Sequence, residues 1–194
     1  MIRNHRLLEA TFQPSPNKGG KLKKPGAIIT HFTAGRSASN SARWLCSPAA
    51  KASAHLIIGR DGSLVQLVEF DTVAWHAGAS EWNGRAACNN WTLGLELDNM
   101  GPLSKVNGRW RSLSLGVDVP DGDVMVDEKG RGWQLFSSTQ HAMLETISRE
   151  LIEAYPTITD IAAHSDICIP RGRKLDTGPA LDVDVLRSRL FGRA

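Results

Sequence analysis

Ala27–Gly35, AIITHFTAG, is the stretch that decides the architecture. Its first five residues form a short apolar run rich in isoleucine, which reads as a buried strand. The run delivers His31 to the strand's end, and Thr33-Ala34-Gly35 then turns the chain. Ser37 or Ser39 is placed to cap a helix through Ala42, Arg43, Trp44 and Leu45, which Pro48 ends. On the other side, residues 11 to 26 are interrupted by Pro and Gly and read as loop. Residues 1–26 are therefore expected to be a basic N-terminal arm, with Lys18, Lys21, Lys23 and Lys24 clustered near its end. A solvated flexible arm is the plain expectation. Contact with an anionic polymer, nucleic acid or cell-wall material, is the alternative.

Further along, Ala54–Gly59 and Ser63–Val68 flank Arg60-Asp61-Gly62, and Asp-Gly between apolar runs signals a local antiparallel hairpin. Trp75-His76-Ala77-Gly78 and the Asn/Gly-rich Trp82–Asn90 stretch read as surface loops. Leu93–Asp98, LGLELD, alternates leucine with Gly94, Glu96 and Asp98, a strand with one apolar face and carboxylates on the other. Residues 101–133 have Gly/Pro breaks and a hairpin pattern from Val124 to Leu135, expected to form an inserted flap. Its Arg109, Trp110, Arg111, Arg131 and Trp133 offer cations and aromatic surfaces to a substrate. Ser137 and Gln140 have capping-box spacing, and Met143, Leu144, Ile147, Leu151, Ile152 and Tyr155 recur at helical steps until Pro156. Asp182–Leu190 has the pattern of a short terminal helix. Strands mixed with helices without regular alternation predict an α/β or α+β domain, a central mixed β-sheet flanked by helices.

The 194 residues, 41% hydrophobic and 22% charged, suffice for one domain with its own core. There is no apolar run of the roughly 18 residues that span a bilayer, so no membrane insertion is expected. The charged start, MIRNHRLLEATF, does not read as a secretory signal, which predicts a cytoplasmic location. Cys46, Cys88 and Cys168 are odd in number, without a CxxC pair, and read as reduced.

Chemistry concentrates in His164–Pro179, HSDICIPRGRKLDTGP, where an imidazole, Lys174 and Asp176 share one irregular segment. Such a segment suits a metal site, because zinc takes neutral imidazole and carboxylate ligands and a catalytic zinc usually has three protein ligands. His31 is the candidate third ligand. Each of these residues has a plainer reading as well: a core imidazole for His31, an ion pair for Lys174 and Asp176, a solvated face for Glu96 and Asp98. Trp75 and His76 read either as loop packing or as an aromatic grip on sugar or peptide. His5 and His141 read as surface residues.

The segments THFTAG, SAHLIIGRDGSLVQLVEFDTVAWHAG, CNNWTLGLELD, and HSDI followed by GRKLDTGP, in this order, resemble the N-acetylmuramoyl-L-alanine amidase type 2 family, relatives of peptidoglycan recognition proteins. The likeness runs from about residue 27 to residue 182 with the insert outside it, and is greatest to the cytoplasmic muropeptide-recycling amidases. The resemblance makes residues 27–194 an amidase catalytic domain with a zinc site in a surface groove. It implies that His31, His164 and Asp176 bind Zn2+, that Glu96 and Lys174 are catalytic, and that His55, Trp75, His76, Arg85, Asn89 and Arg173 line the substrate groove. Ala54 stands where phage lysozyme-amidases carry a tyrosine, and those enzymes lack the glutamate found here as Glu96. Phe32 stands where the family often has a second, non-ligating His. Thr177 replaces the family's proline after the ligand Asp, which bears on how firmly Asp176 is aimed. Two extra residues before Lys174 bring in Cys168 as a competing ligand.

The implied reaction is hydrolysis of the amide between N-acetylmuramic acid and L-alanine. Zinc would activate a water and polarise the carbonyl, Glu96 would transfer the proton, and Lys174 would stabilise the oxyanion. Peptidoglycan or a muropeptide is the expected partner, with no nucleic acid, and the chain is expected to be a monomer. Two other readings are a non-catalytic peptidoglycan-binding module and a nucleic-acid-binding protein supported only by the basic start. As an enzyme the chain is read either as a recycling amidase or as a phage endolysin.

Overall fold

The computed structural model describes residues 1–192. Five strands of the main sheet come first: β1 (Thr11–Phe12), β2 (Ala27–Phe32), β3 (Leu56–Ile58), β4 (Leu64–Gln66) and β5 (Thr92–Leu97). The insert supplies a second sheet from β6 (Pro102–Val106), β7 (Arg109–Ser112), β8 (Val117–Val119), β9 (Val124–Val126) and β10 (Gly132–Gln134). β11 (Asp160–Ala163) then returns to the main sheet, whose order is β11-β2-β5-β3-β4-β1. The strands from β11 to β3 are parallel, β4 is antiparallel to β3, and β1 runs parallel to β4. Helices are α1 (Ala38–Leu45), α2 (Ser138–Ala154), the one-turn α3 (His164–Ile167) and α4 (Val183–Phe191).

Successive strand residues point to opposite faces, so Ile28 and Ile29 serve different cores. Ile28, Leu93, Leu95, Leu97 and Ile161 pack with Leu144, Ile147 and Leu151 of α2 and Leu186 of α4. The opposite face is covered at one end by α1, where Ala42 meets Ile57 and Leu67. At the other end Ala27, Ile29 and Ala162 meet Ala77, Cys88, Trp91 and Ile167. α2 begins where its capping box predicts: Ser137 Oγ accepts from the Gln140 amide, and Gln140 Oε1 accepts from the Ser137 amide. The expected hairpin closes on Asp61, whose Oδ1 accepts from the Ser63 amide.

Four features differ from the sequence reading. Residues 1–26 are not a flexible arm: β1 extends the sheet, Lys18–Lys21 pairs antiparallel with Thr72–Ala74, and Leu7 and Leu22 are buried in the main core. Each buried leucine contributes about 1.5–3 kcal/mol, more than the exposed pairs of Lys18 with Glu69 and Lys21 with Asp71 supply. The 75–90 loops are not superficial, since His76, Ala77 and Cys88 are buried against the sheet. β11 went unread because four residues with an Asp at the head carry too little periodicity.

The insert is the fourth difference: it forms a five-stranded antiparallel sheet, ordered β8-β7-β6-β10-β9, with its own small core of Leu103, Trp110 and Val119. Trp110 and Trp133 point inward, so neither presents an open aromatic face. Arg109 and Arg111 pair with Asp118, and Arg131 with Asp127. Trp133 lies on Gly178, where a Cβ would come within 2.7 Å of its ring, and its Nε1 donates to Asp127. Trp133→Ala is expected to lower unfolding free energy by about 3 kcal/mol, the usual cost of emptying a buried indole site. Leu113→Ala, at a side chain 66% exposed, should stay within about 0.5 kcal/mol. Urea denaturation of the two variants checks both values, and equal stabilities would contradict the packing described.

Candidate metal centre

Strand register assembles the site. In the parallel ladder Glu96 lies opposite His31, and Ala163 lies opposite Thr30, so His164 falls beside His31 in the next row. Opposed residues of registered strands share a face, and His164, His31 and Glu96 therefore form a row at the carboxyl ends of β11, β2 and β5. That end of a parallel sheet is where open α/β folds place their ligands.

Asp176 completes the cluster from the loop after α3. His31 Nδ1 is 3.0 Å from His164 Nδ1 and 3.0 Å from Asp176 Oδ2, and His164 Nδ1 is 2.8 Å from the same oxygen. Three held contacts aim the carboxylate. The Ser165 amide donates to the Asp176 carbonyl, buried Thr177 Oγ1 is 3.4 Å from Thr30 Oγ1, and Trp133 backs Gly178. Thr177 thus anchors the turn by its hydroxyl where a proline would have stiffened it.

The donor set fits a tetrahedral cation. Zn–N and Zn–O bonds of 2.0–2.1 Å place tetrahedral ligand atoms about 3.3 Å apart, near the 2.8–3.0 Å found here. The protonation states fit too. Burial pushes His31 down to about 4 against the pull of Asp176, so the ring is neutral. Burial works to raise Asp176, but hydrogen bonding to His164 and His31 outweighs it and holds the carboxyl well below its usual range. A neutral imidazole and an ionised carboxylate are the forms in which such side chains bind a divalent metal. Cys168 stands outside this group, with Sγ donating to the carbonyls of Ser165 and Pro170.

Glu96 is no solvated face residue. Its Oε2 is buried without a hydrogen-bond partner, and burial, reinforced by the nearby Asp176 charge and opposed by Lys174, raises it to about 8. An open cavity of about 460 Å³ reaches Glu96 and is walled by Thr33, Arg36, Asn40 and Trp44, with Leu115 of the insert opposite. Arg36 Nη2 donates to the Leu115 carbonyl 2.5 Å away and joins the two walls. Asp98, by contrast, is buried one turn of the pleat further on, with Thr33 Oγ1 at 3.5 Å.

Of the six residues expected to line the groove, the structure leaves Trp75, Arg85 and Arg173 at the surface. Trp75 is 40% exposed, and the Arg85 guanidinium lies 4.5 Å over the Trp91 ring. His55 is a fully satisfied core histidine: Nδ1 accepts from the Gly94 amide and Nε2 donates to the Thr72 carbonyl. His76 and Asn89 lie behind His31 and His164, and the exposed Arg173 reaches the same segment from outside. His76 Nδ1 is 3.0 Å from His31 Nε2, Asn89 Oδ1 accepts from the amides of His76 and Ala77, and Arg173 Nη2 donates to the carbonyls of Ala77 and Ala79. The sequence reading missed the Ala77 carbonyl, which accepts from His164 Nε2 at 3.1 Å, and Thr92, whose hydroxyl is 3.2 Å from His76 Nε2. Gly94 was the available signal, because a glycine inside a strand marks close approach; a Cβ there would sit 2.4 Å from His76 Cγ.

Comparison with known proteins supplies the family. The family model described as N-acetylmuramoyl-L-alanine amidase (Amidase_2) matches residues 21–179. The 1,6-anhydro-N-acetylmuramyl-L-alanine amidase AmpD of Escherichia coli (strain K12) is 33% identical over 133 residues, 68% of this chain, and the match spans only 55% of that protein's length. A crystal structure of a selenomethionine derivative of AmpD superposes with a TM-score of 0.70 at 26% identity, covering 98% of this chain and 99% of that one. The E. coli amidase AmiD, solved in complex with anhydro-N-acetylmuramic acid-L-Ala-D-gamma-Glu-L-Lys, gives 0.64 at 26% identity over 90% of this chain and 60% of its own. On the breadth of the family match and the fold it shares with these structures, the chain belongs to the N-acetylmuramoyl-L-alanine amidase family.

Proposed function

We propose that the protein is a zinc-dependent amidase that cleaves the bond between N-acetylmuramic acid and L-alanine in soluble muropeptides. The observation that carries this reading is the convergence of His31 Nδ1, His164 Nδ1 and Asp176 Oδ2 beside the orphaned carboxylate of Glu96. His31, His164 and Asp176 would hold zinc, which when bound would supply Lewis acidity toward the scissile carbonyl and a water of lowered pKa. Glu96, raised by burial toward neutral pH, takes a proton from the attacking water and returns it to the leaving amine of L-alanine. Lys174, two residues from Asp176, stabilises negative charge on the carbonyl oxygen as it develops. The cavity beside Glu96 receives the substrate, with Trp44 supplying an exposed aromatic face and Arg36 a cation.

A binding module without catalysis has no use for a buried, unpartnered carboxylate raised toward neutral pH beside a complete ligand set, so the enzyme is favoured. The site is complete within one chain, which supports action as a monomer. No helix among the described residues is long and apolar enough to cross a membrane. Lys18 and Lys21 are paired with Glu69 and Asp71, which removes the main support for nucleic-acid binding. The named activity of the AmpD relatives favours an anhydro-muropeptide substrate and, with it, a recycling role in the cytoplasm. Mass spectrometry of a soluble anhydro-muramoyl tripeptide, incubated with and without a chelator, should show release of the free peptide only where metal is retained. Faster release from intact sacculi than from the soluble fragment would favour the endolysin role instead.

A further inference from the structure

The insert departs from the chain just beyond β5, the strand of Glu96, and its two ends meet again there. The Gln134 amide donates to the Gly101 carbonyl at 3.1 Å, and buried Asn99 Nδ2 donates to the Gln134 carbonyl at 3.0 Å. Gln134 Oε1 in turn accepts from the Met100 amide at 2.7 Å. Two aromatic rings then lock this root to the site. Phe32, the residue after His31, covers Gly101, and Trp133 covers Gly178, two residues after Asp176. A Cβ at either glycine would come within 2.7 Å of the ring, and at Gly178 its three nearest atoms all belong to Trp133. The Trp133 ring is itself fixed. Its Nε1 donates to Asp127 Oδ2 at 3.0 Å, and Asp127 Oδ1 accepts from the amides of Lys129 and Arg131.

Of the three cluster donors, Asp176 has the least backbone support. His31 lies within the β2 ladder and His164 directly follows β11, whereas Asp176 comes from an irregular loop. Beyond the two histidines, its turn is held by the Ser165 amide, by Thr177 Oγ1 at 3.4 Å from Thr30 Oγ1, and by the Trp133 ring on Gly178. We propose that Trp133 is a positioning residue, and that the root of the insert braces the Asp176 turn and so sets where the carboxylate stands relative to His31. The inference rests on the metal reading of the three-residue cluster. A site group must be held within about 0.5 Å of its productive geometry by packed neighbours, and loss of a supporting partner typically costs roughly 10–100-fold in metal affinity. Trp133 belongs to the insert, outside the segments that carry the family likeness, so nothing in that likeness assigns it a role.

Three variants separate bracing from general loosening of the insert. Zinc affinity, measured by competition with a chromophoric chelator, should fall roughly 10-fold in Trp133→Ala and stay within about threefold of wild type in Trp133→Phe. The phenylalanine keeps an aromatic face on Gly178 and gives up only the bond to Asp127. Val119→Ala is the control: it empties part of the insert's core at the edge strand β8 and should leave zinc affinity unchanged. Wild-type affinity in Trp133→Ala, or an equal loss in either of the other two variants, would overturn the proposal. Hydrogen exchange in the metal-free proteins gives a second readout, since the Ser165 amide donates to the Asp176 carbonyl and reports on the turn directly. In Trp133→Ala that amide should lose about tenfold more protection than the amides of the β2–β5 ladder, which report overall stability. Equal losses throughout would reduce Trp133 to a residue of the fold and refute the brace. This readout stands even if wild type proves not to bind zinc, an outcome that would sink the metal reading alone. Should Trp133→Ala not fold, Trp133→Leu, which fills more of the site without a flat ring, is expected to weaken zinc and unprotect Ser165 in the same direction; a Ser165 amide as protected as in wild type would refute the brace.

Discussion

Alanine at His31, His164 or Asp176 is expected to abolish stoichiometric zinc binding and to reduce amide hydrolysis by roughly 1,000-fold or more, because the metal supplies both the activated water and the polarised carbonyl. The three sites are not equivalent in what they leave behind. Asp176→Ala removes the only anion from the cluster and leaves the His31 and His164 ring nitrogens 3.0 Å apart. Its metal-free fold should survive, since the strands bearing the histidines are held by the main ladder and not by the carboxylate. Metal content after gel filtration, read beside the far-ultraviolet circular dichroism spectrum, checks all three. Full zinc occupancy in Asp176→Ala, with metal lost instead from Cys168→Ala, would reassign the third ligand to the cysteine, whose thiol here turns toward the Ser165 and Pro170 carbonyls.

Glu96→Gln should show the opposite division: zinc retained, turnover down by roughly 100-fold or more. The carboxylate stands beside the cluster and is no member of it, so its loss removes proton transfer and not ligation. The pH profile gives a second test. A general base works only when ionised, so wild-type kcat/KM should fall about tenfold per pH unit below the pKa of Glu96. Burial and the Asp176 charge set that pKa at about 8 in the metal-free site, and a cation held by the triad must move it downward. The acid limb is thus expected below pH 8 and should be missing from Glu96→Gln. A variant that kept both its rate and its acid limb would assign proton transfer to another group.

The sequence by itself determined the pieces that depend on local period and local chemistry. The isoleucine run before His31, the Asp61-Gly62 turn, the alternation in Leu93–Leu97 and the Ser137/Gln140 box each appear as the strand, hairpin, strand and helix start they announce. The order of the motifs likewise named the family and pointed to His31, His164 and Asp176, which the fold brings together. What periodicity could not supply is the identity of whatever covers a face. Alternation puts Glu96 opposite to the leucines of β5, but only the packing of other segments across that face turns a presumed solvated carboxylate into one with a buried, unpartnered Oε2. The same gap explains His76, read either as loop packing or as a grip on substrate, and Asn89, which the likeness directed toward a substrate: the packed loop sets them behind His31 and His164. It explains Trp110 and Trp133 as well, since an aromatic in an irregular stretch reads as exposed until a second sheet forms to enclose it. Strand period fixes which way a side chain leaves its own backbone; which atoms meet it there is set by distant chain segments, 145 residues apart for His31 and Asp176, and exists only once they are folded together.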